Sequence, residues 1–439
     1  MFWLELLVVL ICIYFGARIG GLGLGVMGGL GLSVLTFVFH LKPTSAPIDV
    51  ILMIAAVITA AGAMQAAGGM DYLVQLAEKM LRKNPSRITF MGPLVTYLFT
   101  FFAGTGHVAY SVMPVIAEVA TESGVRPERP MSIAAIASQQ AITASPISAA
   151  TVALLGLLGG YNIQLVDIMK ICVPATFLGC MIAAFVCSKM GKELKDDPEY
   201  QRRVAAGLIK MKESTAKKVE LKPGAKLSVI LFVVSAILIV LLGTFPELRP
   251  VWPVAGAKPD RLSMPSTIEM VMLSIAALII IFSKVKVEEI VKGNVFQAGV
   301  TAVIGIFGIA WMGDTFFSGN MDLLTGSIKD MVTSAPWLFA LALFLLSVLL
   351  YSQAATVRTL MPLGLSLGLG PAALIAMFPA VNGYFFIPNY PTIVAAINFD
   401  RTGTTRIGKY ILNHSFMVPG IVATVSAVVI GFGLAQLFL

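Results

Sequence analysis

Long apolar blocks separated by short polar connections dominate the chain. Ile48 to Ala67 and Leu227 to Leu242 run without polar alternation, whereas a barrel strand would alternate over about 10 positions. Helices are the other backbone solution in hydrocarbon, and a block of about 20 apolar residues is long enough to cross it. Spanning helices are predicted at about residues 3–17, 22–40, 47–68, 131–158, 165–188, 227–244, 266–283, 295–312, 371–398 and 411–437. Two further apolar stretches, 88–122 and 336–368, are interrupted midway by small or polar residues. Each fits two half-length helices, a re-entrant hairpin, better than one crossing. The expected fold class is an all-α polytopic membrane protein with about ten transmembrane helices plus two re-entrant hairpins.

Orientation follows from the polar connections. Lys189 to Lys226 carries 11 Lys or Arg against 6 Asp or Glu, so the positive-inside rule puts it at the cytoplasmic face. Counting spans from there places Arg18, the Arg82, Lys83 and Arg87 cluster, Arg126 with Arg129, Lys284 with Lys286, and Arg401, Arg406 and Lys409 inside. The proline-rich loop Phe245 to Pro265 and both termini fall outside. Met1 to Phe15 lacks a basic n-region and a small-residue cleavage site, so it reads as a retained first helix.

The same count opens the first hairpin to the cytoplasm and the second to the exterior, so five spans and a hairpin recur with opposite orientation. Two inverted repeats are expected, residues 1–188 and 227–439, joined by a cytoplasmic linker at 189–226. Gly104-Thr105-Gly106 followed by Met113-Pro114 parallels Ser352-Gln353-Ala354 followed by Met361-Pro362 at an offset of 248, and Pro146 matches Pro388 at an offset of 242.

The polar breaks carry the candidate chemistry. They are Ala103 to His107 at the first hairpin tip, Thr143 to Ser148 in the next span, Tyr351 to Thr356 at the second tip and Ile387 to Thr392 in the last broken span. Proline removes an amide hydrogen and glycine weakens a helix. The freed backbone groups cost several kcal/mol each in lipid unless protein, water or a ligand satisfies them. Four paired breaks ask for one shared polar site. Helix N-termini after the breaks offer N–H groups and positive dipole ends to carboxylate oxygens. Gly104, Thr105, Gly106, His107, Ser145, Pro146, Ser148, Ser352, Gln353, Asn389 and Thr392 are the expected binding residues. The competing view is that these are ordinary kinks satisfied by neighbouring helices.

Composition fits this picture: 57% of the 439 residues are hydrophobic and 12% charged, against about 25% charged in soluble domains. The net charge of +8 sits in short loops and reports topology, not a nucleic-acid partner. Cys12, Cys172, Cys180 and Cys187 lie in apolar blocks without Cys-x-x-Cys spacing and read as buried thiols. His40, His107 and His414 are too dispersed for a metal site, and His40 and His414 flank helix ends. No cofactor motif is present: Gly23-x-Gly25-x-x-Gly28 lacks a strand-turn-helix context, and Gly21, Gly25 and Gly29 form a helix-packing ladder instead. Arg358 lies about 9 Å beyond the second tip along a helix, placed to neutralise an anion, to snorkel outward or to pair with Asp314. Asp314 and Glu118 fall near predicted span or hairpin ends, and a surface helix is expected from Glu199 to Lys212. An intramembrane enzyme is disfavoured, since no Gly-x-Ser-Gly, His-Glu-x-x-His or complete Gly-x-Gly-Asp occurs.

Gly-Thr-Gly-His at 104–107, Arg-Pro at 129–130, Thr-Ala-Ser-Pro-Ile-Ser at 143–148, Tyr-Ser-Gln-Ala-Ala at 351–355 and Gly-Thr-Thr-Arg-Ile-Gly at 403–408 together carry a resemblance. The chain resembles the anaerobic C4-dicarboxylate transporter family of bacterial inner membranes, from Gly16-Ala17-Arg18 to Asn413-His414-Ser415-Phe416. The resemblance implies exchange of fumarate, malate or aspartate for succinate. It also implies kinship with the wider ion-transporter superfamily, whose members are dimers that work by an elevator motion. The alternative within transport is a Na⁺- or proton-coupled dicarboxylate symporter. The partners expected are thus a small dicarboxylate, the lipid bilayer and a second copy of the chain.

Overall fold

The computed structural model describes residues 1–19, 22–46, 48–209, 220–253, 260–320, 335–350, 352–388, 390–410 and 412–439. Val251–Trp252 (β1) and Asp260–Arg261 (β2) form a short antiparallel ladder, and Ile407 makes one bridge to His414. The other described elements are helices. The first half contains α1 (Phe2–Ile19), α2 (Gly23–Phe37), α3 (Ile48–Ala66), α4 (Gly69–Lys83), α5 (Ile88–Ala103), α6 (Ala109–Glu122), α7 (Glu128–Gln140), α8 (Ala149–Leu158) and α9 (Leu165–Cys187). The linker carries α10 (Pro198–Ala205). The second half contains α11 (Ala225–Thr244), α12 (Met264–Ser283), α13 (Val287–Lys292), α14 (Asn294–Gly319), α15 (Trp337–Leu350), α16 (Gln353–Ser366), α17 (Pro371–Met377), α18 (Pro391–Phe399) and α19 (Met417–Phe438).

Among the described residues, α9, α11, α12, α14 and α19 are each long and apolar enough to cross a membrane alone. Their lipid-facing residues are large and apolar, as at Leu241, Ile281 and Val429, because no water is available outside to reward a polar side chain. The chain is a multi-pass membrane protein.

The helices pack in two groups. In one, α1 lies on α2, α2 on α14, α3 on both α12 and α14, and α11 on α12. Small residues let these backbones touch: a Cβ at Gly25 would overlap the Ile304 carbonyl, and one at Gly308 would overlap that of Gly25. In the other group, α9 packs along α19, α5 on α7, α6 on α18 and α8 on α16. The groups meet where α16 touches α14 and α8 touches α3.

Several expected boundaries shift. Helix α4 was not anticipated; it leaves α3 at a bend of 72°. Its Met70, Ala77 and Leu81 are buried while Asp71, Glu78 and Lys79 alternate with them, an amphipathic pattern too polar to register as a span. Helix α14 continues to Gly319, so Asp314 lies inside it and not at its end. The last span begins at Met417, and residues 400–410 and 412–416 before it are loop with its own hydrogen bonds. The surface helix is shorter than expected, Pro198–Ala205, and residues 210–219 of the linker lie outside the described residues. Of the glycine ladder, Gly21 lies outside the described residues, Gly29 has open space, and Gly28 is the second close contact beside Gly25. All four cysteines are buried and free.

Loops expected on one face are in contact. Arg82 binds Glu78, Glu118 and Glu122 at 2.8, 3.0 and 2.8 Å, fastening α4 to the first hairpin. Lys222 reaches the Ala66 carbonyl and Glu289. The linker is anchored by Arg126, which donates to Glu128 and Asp197 at 2.6 Å each, and by Arg129, which donates to the Met190 carbonyl and Glu193. Glu128 accepts from Ser415 at 2.6 Å and its backbone N–H donates to Thr404 at 3.1 Å. Burial opposes ionisation of Arg126 and Asp197, but their mutual contact outweighs it, with Glu128 helping Arg126 and the N–H groups of Tyr200 and Glu199 helping Asp197. The guanidinium pKa is raised and the Asp197 pKa lowered.

Candidate functional site

The first hairpin turns at Gly104, which holds φ +69° and closes α5 by donating its N–H to the Thr100 carbonyl. A Cβ there would stand 2.9 Å from the Ile147 side chain, and one at Gly106 would overlap the Gln139 amide. Glycine at both places lets the tip sit directly on the break between α7 and α8. That break is stitched by hydroxyls. Ser145 donates to the Phe101 carbonyl at 2.7 Å, and Ser148 donates to the Ile142 carbonyl at 2.5 Å while accepting the Thr151 N–H that starts α8. Thr143 donates to the Gln140 carbonyl. Pro146 is buried between these residues.

The second hairpin restarts at Ser352, whose hydroxyl caps α16 by accepting the Ala355 N–H at 3.2 Å. Gln353 follows, and its amide enters the bundle. It donates to Gln139 Oε1 at 3.0 Å and to Asn382 Oδ1 at 3.1 Å. Asn382 separates two 3-10 turns, Phe378–Val381 and Gly383–Phe385, in the break between α17 and α18. Its amide hydrogens face Gln140 Oε1 at 3.2 Å, the Pro379 carbonyl at 3.1 Å and Thr143 Oγ1 at 3.5 Å. Gln140 in turn donates to Thr424 of α19 at 2.8 Å. Gln139, Gln140 and Asn382 are at most 1% exposed. The result is a neutral, buried network that joins α7, the second tip, the second break and α19.

The whole chain, residues 1–439, matches the family model described as anaerobic C4-dicarboxylate membrane transporter. It is similar to C4-dicarboxylate transporter DcuA of Wolinella succinogenes, 47% identical over 99% of both chains. It is also similar to C4-dicarboxylate transporter DcuA of Escherichia coli, 43% identical over 100% of both. Against anaerobic C4-dicarboxylate transporter DcuB of Escherichia coli the identity is 39%, over 100% of this chain and 99% of the other. The chain belongs to the anaerobic C4-dicarboxylate membrane transporter family.

Within this family member, the structure gathers the expected residues unevenly. Gly104, Gly106, Ser145, Pro146 and Ser148 come together at the first tip and break, and Gln353 joins them through Gln139. Thr105 lies half-buried beside them and is itself engaged. Thr392, near the start of α18, is 1% exposed and its hydroxyl has no partner among the described residues. Asn389 lies outside the described residues, as does the side chain of His107. Arg358 is close enough to Asp314 of α14 to act on it electrostatically, and the adjoining Thr359 lies against Gly313.

Sequence reasoning missed Gln139, Gln140, Asn382 and Thr424. A signal for two of them was present, since Gln140 and Asn382 differ by 242 positions, the offset that pairs Pro146 with Pro388. Amides and hydroxyls backed by helix N-termini can bind carboxylate oxygens and exchange them for one another, because each donor gains a new acceptor for the one it loses. Among the described residues no three His, Cys, Asp or Glu side chains converge to hold a metal.

Proposed function

We propose that this chain exchanges C4-dicarboxylates across the bacterial inner membrane, taking in fumarate, malate or aspartate against succinate. The observation that carries the reading is the amide network of Gln139, Gln140, Gln353 and Asn382, which draws both halves to one buried neutral centre. The two carboxylates of one dianion would take hydrogen bonds from this network, from Thr105, Ser352 and Thr392, and from the N–H groups that open α8, α16 and α18. Placing no lone cation in the centre avoids the penalty for an unpaired charge when the carrier is empty.

The packing supports two inverted repeats, residues 1–188 and 227–439, joined by the linker 189–226. The contact of α2 with α14 is matched by α12 with α3, that of α6 with α18 by α8 with α16, and α9 lies on α19. Exchanging α2 for α12, α3 for α14, α6 for α16, α8 for α18 and α9 for α19 leaves this pattern unchanged. On this reading α5–α9 with α15–α19 form a transport unit that slides, in an elevator motion, against a scaffold of α1–α3, α11, α12 and α14, within a homodimer. The basic loops put the linker in the cytoplasm and both termini in the periplasm.

Counterflow in proteoliposomes tests the reading. Vesicles loaded with succinate should accumulate labelled fumarate or aspartate without an ion gradient. With fumarate one dianion replaces another, so that rate should not respond to membrane voltage, whereas aspartate, whose ammonium makes it a net monoanion, moves one charge per exchange for succinate and should respond. Accumulation that requires a Na⁺ or proton gradient but no internal dicarboxylate would establish symport instead.

A further inference from the structure

Linker helix α10, the end of α18 and the loop that follows it line a polar pocket of about 630 Å³. Its charged lining is Arg203, Arg401 and Arg406 against the single carboxylate of Asp400. That carboxylate is already spent. Its oxygens accept the Thr402 hydroxyl and N–H, the Thr404 hydroxyl at 2.8 Å and the Thr405 N–H at 2.6 Å, and the residue is 3% exposed.

Arg203 is held in place by Glu199 at 2.7 Å and by the Arg401 carbonyl at 3.0 Å. Its guanidinium lies against Gly403, which holds φ +75° and where any Cβ would overlap it. Arg401 and Arg406 are exposed, and neither has an ion-pair partner among the described residues. Thr405 lines the same pocket, is 1% exposed, and its hydroxyl has no hydrogen-bond partner among the described residues. Arg401 and Arg406 have no counter-ion among the described residues and the carboxylate of Glu199 is already shared by Arg202 and Arg203, so an entering anion would relieve their repulsion, and forked guanidinium donors suit phosphate oxygens.

Leu208 and Ile407 line the pocket and are exposed, and Tyr410 and Leu412 of the same loop are exposed too. The loop joins the end of α18 to the start of the spanning helix α19, and basic side chains beside exposed apolar ones next to a span suit a lipid phosphate.

We propose that Arg203, Arg401, Arg406 and Thr405 bind a phosphate group at the membrane surface, presented by an anionic lipid headgroup or as free phosphate. Occupancy would neutralise the pocket and tie the linker to the loop, independently of the dicarboxylate site.

The test uses full-length protein in uncharged detergent at constant ionic strength and follows the unfolding midpoint. Inorganic phosphate and bicelles of phosphatidylcholine with phosphatidylglycerol are titrated in parallel, with pure phosphatidylcholine bicelles and succinate as controls. The midpoint should rise with phosphatidylglycerol in the wild type, and Arg401→Gln/Arg406→Gln should need about tenfold more of it for the same rise. A rise with both phosphatidylglycerol and inorganic phosphate assigns the phosphate group itself; a rise with phosphatidylglycerol alone assigns the lipid. The proposal is overturned if neither phosphate source acts, if succinate alone acts, or if the double variant responds at the wild-type concentration. It is equally overturned if Lys292→Gln, an exposed charge on α13, weakens the response as much. Both substituted arginines are exposed, so the variants should fold.

Discussion

The central network and the linker anchor both tie distant segments together, yet they use opposite chemistry. In the centre, Gln139, Gln140, Gln353, Asn382 and Thr424 meet through neutral amides and a hydroxyl. At the linker, Arg126, Asp197 and Glu128 meet as full charges at 2.6 Å. An amide in hydrocarbon needs only a partner, whereas an ion needs a well-placed counter-ion and further donors. An amide can also trade another amide for a carboxylate oxygen at little net cost. A buried ion pair cannot open without stranding a charge. On the proposed function, exchangeable bonds stand where a substrate would come and go, and fixed bonds stand where the linker is attached.

Arg126→Leu should have the largest effect of any single change on this contrast. It strands Asp197 and Glu128, for which about 3–5 kcal/mol of stability is expected to be lost. Thermal unfolding of the purified protein checks this, and Arg126→Leu combined with Asp197→Asn should recover part of the loss. Dicarboxylate binding per folded molecule should stay near wild type. A loss of affinity as large as the loss of stability would show that anchor and centre are not separable.

Asn382→Leu should do the reverse. Removing the hub leaves Gln140 Oε1 and a Gln353 hydrogen without their partners, at about 1–3 kcal/mol each. Exchange of labelled succinate, normalised to folded protein, should fall about a hundredfold, since each 1.4 kcal/mol is a factor of ten. Gly106→Ala is expected to act more mildly, about tenfold, because its Cβ displaces the Gln139 amide without deleting it. Equal activity of either variant and the wild type would remove the network from the transport site.

Much of this architecture was legible in the chain. Apolar blocks long enough to span declare themselves by length, and the tips and breaks declared themselves through Gly104-Thr105-Gly106, Pro146 and Pro388. Helix α4 escaped because its polar face lowers its mean hydropathy. The network escaped because Gln139 and Gln140 are helical residues before the break, where an amide carries no local signature; only the fold aims them at Asn382. Ser145 and Ser148 were legible as polar residues at membrane depth, but their choice of backbone carbonyls depends on how closely Gly104 lets the tip approach.

The smallest expected effect concerns His414, in the loop that the anchor holds. Its Nδ1 accepts the Phe416 N–H at 3.2 Å, leaving Nε2 to donate to the Phe386 carbonyl at 3.4 Å. Both contacts suit the neutral ring, and burial lowers its pKa further than the Phe386 contact restores it. The unfolded chain therefore takes up this proton first. The contribution to stability is complete above the ordinary value of about 6.5 and is lost as pH falls through the lower folded value. Asp197 is depressed as well, but from a carboxylate value of about 3.9, so its contribution holds until far more acidic conditions. Thermal midpoints measured between about pH 7.5 and 5.5 should fall more steeply for wild type than for His414→Asn, whose amide oxygen can accept the Phe416 N–H but cannot titrate. Parallel slopes would mean that the ring takes up its proton equally in the folded and unfolded chain, so that its two contacts do not favour the neutral form.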